Sequence, residues 1–191
     1  MAHLQLSHAS ILNSPAQLLV LPVNTAGVIL DPAIARAKSL FPDNYRRYHR
    51  ACRDGSLNVG SCLLHKRTRE QAGLGISSNG NQPSHIANLV VSNHPYHPAR
   101  SRWLMAALTD FQAQILPLIR YQGVRRVALL ARPLIFDNPR DTLTHQSTEA
   151  NSLPLDWQTD TLPLLTTYLQ DLPKLRIDVH VPKSISLQTD Y

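Results

Sequence analysis

Two hydrophobic periods alternate along this chain. Leu18 to Asn24, LLVLPVN, is an unbroken apolar run closed by an amide side chain. That is the pattern of a strand buried on both faces in a parallel sheet. Pro22 lies inside the run and has no amide to donate, so it argues against full pairing on both sides. Asp31-Pro32 then supplies an N-cap and a first helical residue. Ile34, Ala37 and Leu40 or Phe41 follow at helical spacing. Pro42-Asp43 restarts a second helix with Tyr45, Tyr48 and Cys52 on its inner face, and Gly55 stands where a left-handed cap is expected.

The same reading continues to the C-terminus. Ser61 to Arg67 and His85 to Val91 predict strands, separated by a Gly-, Ser- and Asn-rich loop over 69–84. From about Arg100 to Tyr121, Leu104, Leu108, Phe111, Ile115 and Leu118 form the stripe of a long amphipathic helix. Gly123 ends it, and Pro117 predicts a kink. Val124 to Ala131 is a further strand. Arg132 to Pro154 is a long polar connection, Trp157 to Leu172 is helical by pattern, and Arg176 to Val181 alternates as a closing strand. Strands alternating with helices predict a three-layer α/β/α fold around a central mixed sheet, with one domain over 1–182 and a loose tail over 183–191. Ligands in such folds sit beyond the carboxyl ends of the strands. That rule places 24–32, 91–100 and 131–156 around one rim.

Composition narrows the class without naming a function. With 43% hydrophobic and 17% charged residues, the 191-residue chain has the material for one sizeable core. No run approaches the roughly 20 apolar residues of a membrane-spanning helix. The N-terminus lacks a basic start and an apolar signal core, so no export signal is expected. Cys52 and Cys62 make no disulfide framework, which sets a cytoplasmic default. A formal charge of +6 favours anionic partners, including phosphates and nucleotides.

Two segments carry a family resemblance. LPVNTAG, followed by FPDNYRRYHRACRDGSLNVGSCLL, resembles the macrodomain family. The nearest branch is that of the DNA ADP-ribosyl glycohydrolase antitoxins and the terminal ADP-ribose glycohydrolases, with its V-N-x-V-G-x-M-G-K-G, F-P-x-N-F-x-x-Y and A-C-x-x-G-x-x-x-G patterns. HIANLVVSNHPYHPARSR resembles the family's I-x-N-F-x-T…S-R segment, and PLDW at 154–157 resembles its G-L-D-W. The resemblance implies a fold that holds ADP-ribose, with adenine near the first strand, the diphosphate on two glycine-rich loops and the distal ribose near the V-N turn.

Carried onto this chain, the resemblance makes Ser10, Ile11, Asn24, Thr25, Ala26, Gly27 and Val28 candidate ligand contacts; His94 and Tyr96 join them from the strand exit, as groups able to stack on a base or bond a phosphate, and Arg132 from the replaced second loop. Several positions depart from the pattern. Ala9-Ser10-Ile11 stands for the family's G-D-I, and Ile29-Leu30-Asp31-Pro32 for M-G-K-G, without its glycines or its catalytic lysine. The segment 132–153, where the second glycine loop belongs, contains no glycine. A backbone phosphate cradle relies on glycine, because side chains block close approach. The departures imply a divergent binder of an ADP-ribose-related nucleotide or ADP-ribosylated target, with weak or absent hydrolase activity.

The alternatives stay open at this point. LDPAIARA also resembles V-D-G-A-I-H-R-A of another macrodomain branch, whose Asp positions water. That makes Asp31 and Asn24 the candidate catalytic pair of an active ADP-ribosyl hydrolase. Asp31 is equally a plain helix cap, and Asn24 a turn former. Arg46, Arg50 and Arg53, with Arg47, form a basic stripe that serves either as a solvated face or as a nucleic-acid contact. His85, His94 and His97 lack further ligands at zinc spacing, so no metal or other cofactor is expected.

Overall fold

The computed structural model describes residues 1–68, 82–135 and 155–187. Most of the 69–84 loop, most of the connection after Arg132 (Asp137 included), and the last four residues lie outside that range. The strands are β1 (His3–Ser7), β2 (Leu18–Asn24), β3 (Cys62–Lys66), β4 (His85–Ser92), β5 (Arg126–Leu130) and β6 (Arg176–His180). The α-helices are α1 (Pro32–Leu40), α2 (Pro42–Arg53), α3 (Ser101–Tyr121) and α4 (Leu162–Leu169). A single π turn over Trp157–Thr161 leads into α4. The six strands form one sheet in the order β1-β6-β5-β2-β4-β3, parallel except for the β3–β4 pair. The mixed sheet between helical layers is as expected from the pattern.

Alternation along the central strands divides the core. Leu18 and Val20 of β2, with Ala87, Leu89 and Val91 of β4, face the cluster built by α3 and α4. Leu19, Leu21, Ile86, Ala128 and Leu130 face α1. Both faces of β2 and β4 are therefore dry, which is why their sequences read as near-continuous apolar runs. Pro22 is accommodated because the β2–β5 register ends at Val20, so the ladder on that side makes no demand on its amide. Helix α3 runs unbroken through Pro117. The 3–7 strand was not anticipated; HLQLS is short and half polar, and it exists as an edge paired to β6.

Polar contacts fix α2 against the sheet. Asn44 and Asn88 exchange two hydrogen bonds of 3.1 and 2.9 Å, both side chains buried, and the Asn88 amide also donates to the Leu63 carbonyl. Beside them the Asp43 carboxylate accepts from Arg67 at 3.0 and 3.3 Å and sits 2.9 Å from His65 Nε2. Burial pushes the Asp43 carboxyl up, but the Arg67 and His65 hydrogen bonds and the Arg67 charge outweigh it and hold it below its ordinary value. The Arg67 guanidinium also lies over the Phe41 ring. These contacts tie the start of α2 to β3, which is otherwise an edge strand.

Gly60 turns the chain into β3 beneath α3. Its φ is +80°, and an added Cβ would stand 2.9 Å from the Ala106 Cβ. Gly60→Ala is expected to lower unfolding stability by about 1–3 kcal/mol, read by urea titration. Asp43→Ala strips the carboxylate from a buried arginine and should cost about 3–5 kcal/mol. Because the folded Asp43 pKa is depressed, its contribution is present above the unfolded value of about 3.9 and is lost as pH falls through the folded value. An Asp43→Asn variant should therefore lose less stability than the parent between about pH 5 and pH 2; equal acid limbs in the two would contradict this assignment.

Candidate functional site

The carboxyl ends of β2, β4 and β5 meet at one cleft of about 340 Å³. Three segments far apart in sequence build it: Asn24 with 28–32 after β2, 95–99 after β4, and Arg132-Pro133 after β5. Among the described residues, the three segments expected at the rim all contribute to it; 136–154 of the third lie outside the described range. The volume lies within the range of small-molecule sites, at the place where open α/β sheets hold their ligands.

Asn24 is the centre of the cleft's polar chemistry. The register of β2 on β4 shifts between Val23 and Asn24, which releases the last residue from the regular ladder. The freed Asn24 carbonyl accepts from the Tyr48 hydroxyl at 2.6 Å and lies 3.7 Å from Cys52 Sγ. Burial, with Cys52 alongside, keeps the Tyr48 phenol well above its ordinary pKa, so it remains a neutral donor. The Asn24 side-chain Nδ2 donates to the Val28 carbonyl at 2.7 Å, closing the turn. Its Oδ1 is buried and has no partner among the described residues. Gly27 takes φ +74° inside this turn, and a Cβ there would meet His49 and Cys52 at 3.4 Å. The turn is thus clamped onto α2 through Tyr48, which also lines the cleft, with His49 and Cys52 against Gly27.

Asp31 caps α1 as its place before Pro32 predicted. Its Oδ1 accepts from the Ala33 and Ile34 amides at 2.8 and 3.3 Å. Its Oδ2 faces Arg132 Nε across the cleft at 3.7 Å. The Asp31 side chain is 10% exposed and Arg132 60%. The cap and the cleft position therefore coincide in one residue.

The remaining candidates divide between wall and surroundings. Val28 and Tyr96 line the cleft with Asn24, Asp31 and Arg132. His94 lies outside the lining; its Nδ1 accepts from the Tyr96 amide, and its ring packs against Tyr96 and His97 at 5.6 and 4.7 Å. His97 takes the cleft-facing place instead. Its spacing of three from His94 was visible in the sequence, but which of the two faces inward depends on the Pro95 and Pro98 turn. Thr25 bonds Ser92 and Asn93, and Ala26 and Gly27 belong to the turn behind the wall. Ile11 is buried in the core under α1, and Ser10 caps the short 3-10 turn that contains it. Arg46, Arg47, Arg50 and Arg53 are exposed on α2 away from the cleft lining, with Arg53 near Asp54.

Other residues outside the cleft have packing roles. Trp157 is buried in the larger core cluster, and Asp156 caps the π turn. Cys62 is buried strand packing; burial and nearby Asp110 push its thiol up to about 12. Both cysteines are free. Among the described residues no group of three or more His, Cys, Asp or Glu side chains is arranged to hold a metal ion, and no helix is long and apolar enough to cross a membrane.

Comparison with known proteins places this geometry. No family model matches the chain. It is 30% identical over 126 residues to the DNA ADP-ribosyl glycohydrolase of Thermus aquaticus, a match covering 66% of this chain and 31% of that protein. The chain thus corresponds to under a third of that relative's length. The fold matches the macrodomain of Thermus aquaticus DarG with a TM-score of 0.70 at 25% identity, over 95% of this chain and all of the other. It matches the macrodomain of Mycobacterium tuberculosis DarG at 0.69 with 20% identity, over 96% of this chain and all of that one. Thermosipho africanus DarTG in complex with ADP-ribose matches at 0.67 with 21% identity, over 97% of this chain and 43% of that one. With its mixed six-stranded sheet, helices on both faces and this kinship to DarG, the chain belongs to the macrodomain family.

Proposed function

We propose that this chain binds an ADP-ribose-related nucleotide, free or attached to a macromolecule, in the cleft beyond β2, β4 and β5, and hydrolyses it weakly or not at all. The observation that carries the reading is the Asn24 amide. Its Nδ2 is committed to Val28, so the buried Oδ1 points to no donor within the described residues while its residue lines the cleft. Leaving a buried acceptor unmet costs about 1–3 kcal/mol. A ribose hydroxyl donates such a bond and removes the penalty. The complex of Thermosipho africanus DarTG with ADP-ribose supports the choice of ligand.

The balance against hydrolysis rests on Asp31. A carboxylate that places an attacking water needs a free oxygen directed at the substrate. Here Oδ1 is used by two backbone amides and Oδ2 faces a guanidinium, so one carboxylate oxygen at most is open to a water. The turn carries no lysine in place of it. An active hydrolase is the second reading, favoured by the glycohydrolase relative and by the presence of Asp31 on the cleft wall. The arginine stripe of α2 supports a third, nucleic-acid contact at a separate surface.

Calorimetry with ADP-ribose is the direct test. Binding is expected in the parent, and Asn24→Ala should weaken it by about tenfold or more, the equivalent of one buried hydrogen bond. No heat with millimolar ADP-ribose would end the nucleotide reading. Release of ADP-ribose from modified DNA or protein should stay near the buffer rate; turnover that disappears in Asp31→Ala would establish the hydrolase instead.

A further inference from the structure

The cleft holds one strong cation among its described lining residues, Arg132, and that cation faces a carboxylate belonging to the chain itself. We infer that Arg132 is the diphosphate-recognising residue of this cleft and that Asp31 occupies its anion position until a ligand displaces it. The inference rests on the nucleotide reading above and adds to it how the phosphates are met and what competes with them.

Three observations carry the assignment. The first is geometric. Arg132 Nε stands 3.7 Å from Asp31 Oδ2, so the guanidinium is beside the carboxylate at longer than hydrogen-bond length. Arg132 is 60% exposed and Asp31 10%, so the pair is solvated from the arginine side only; it has no hydrogen bond across it, and Asp31 keeps its two amide donors when the guanidinium leaves. The second is the division of labour at Asp31. Its Oδ1 holds the α1 amides independently of Arg132, so the arginine can turn toward a ligand while the helix stays capped. The third is what the turn and the β5 exit lack. Residues 28–32 contain no glycine, and the exit from β5 runs Ala131-Arg132-Pro133. A backbone cradle for phosphate needs close approach of main-chain amides, and Pro133 has none to offer. A planar guanidinium replaces that cradle with paired N–H donors of matching geometry.

The rest of the lining agrees with this division. Val28, Leu30 and Tyr96 are 44%, 53% and 77% exposed, a large apolar share for residues at a cleft mouth. They offer surface for a base or sugar and no counter-charge. Asn24 meets a hydroxyl by the argument already given. A ligand that satisfies the cleft therefore carries a hydroxylated sugar and an anionic linker, and the linker competes with Asp31 for one guanidinium.

The test is a matched set of titrations with the whole chain, using ADP-ribose and adenosine as probes at two salt concentrations. Arg132→Ala should weaken ADP-ribose by about tenfold, since bonds to charged groups are the stronger class, and should leave adenosine unchanged. Arg132→Lys should recover part of the loss. Asp31→Asn keeps an effective helix cap but removes the competing charge, and should tighten ADP-ribose by about two- to fivefold. The salt dependence of ADP-ribose binding should flatten in Arg132→Ala. Parent binding that neither Arg132→Ala nor Asp31→Asn alters overturns this inference and leaves the nucleotide reading standing. Binding absent in the parent removes both. Weaker binding in Asp31→Asn would also overturn the inference, because it makes Asp31 a ligand contact rather than a competitor.

Discussion

The hydrogen bond from the Tyr48 hydroxyl to the Asn24 carbonyl is the contact on which the cleft depends. It takes the carbonyl that the register shift removes from the sheet and gives it a buried donor from α2. With that carbonyl held, the Asn24 side chain has only the turn to close, and its Nδ2 goes to Val28. One oxygen is then left over, inside the protein and at the edge of a hollow. The site is a consequence of where the strand's last polar groups find partners and where they do not.

Tyr48 can make that bond because α2 is held in place by polar groups buried beneath it. The Asn44–Asn88 pair joins the helix to the middle of β4, and Asp43 joins it to Arg67 and His65 at β3. Such contacts add little net stability over an apolar interface, but they tolerate few alternative arrangements. A helix held only by the packing of Tyr45, Tyr48 and Cys52 could slide; one whose amide must meet another amide has one setting. The Phe41-Pro42-Asp43-Asn44-Tyr45 stretch, which carried the family resemblance, therefore acts on the cleft at second hand.

The cleft is chemically sparse. Among the described residues it offers a capped turn and a proline-bearing exit rather than glycine-rich loops, and its strong cation is an exposed arginine facing the capping aspartate. That economy is what supports the proposal of a nucleotide held rather than cleaved. Asp31 serves the helix start first: its Oδ1 accepts from the α1 amides whatever its other oxygen meets.

Much of this was legible in the chain. The apolar runs at Leu18 to Asn24 and His85 to Val91, the Asp31-Pro32 cap and the stripe of the long helix through Phe111 are local patterns, and local sterics and burial decide them. The rim could be anticipated too, because alternating strands and helices leave few places for a ligand. Four features depended on residues that are neighbours only after folding: the β1–β6 edge, the choice of His97 over His94 for the cleft wall, the approach of Arg132 to Asp31, and the partnerless oxygen of Asn24. Sequence determined which segments would form and what each could donate or accept. Only the tertiary structure decided which donors met which acceptors, because that depends on distances between strands that the order of residues does not contain.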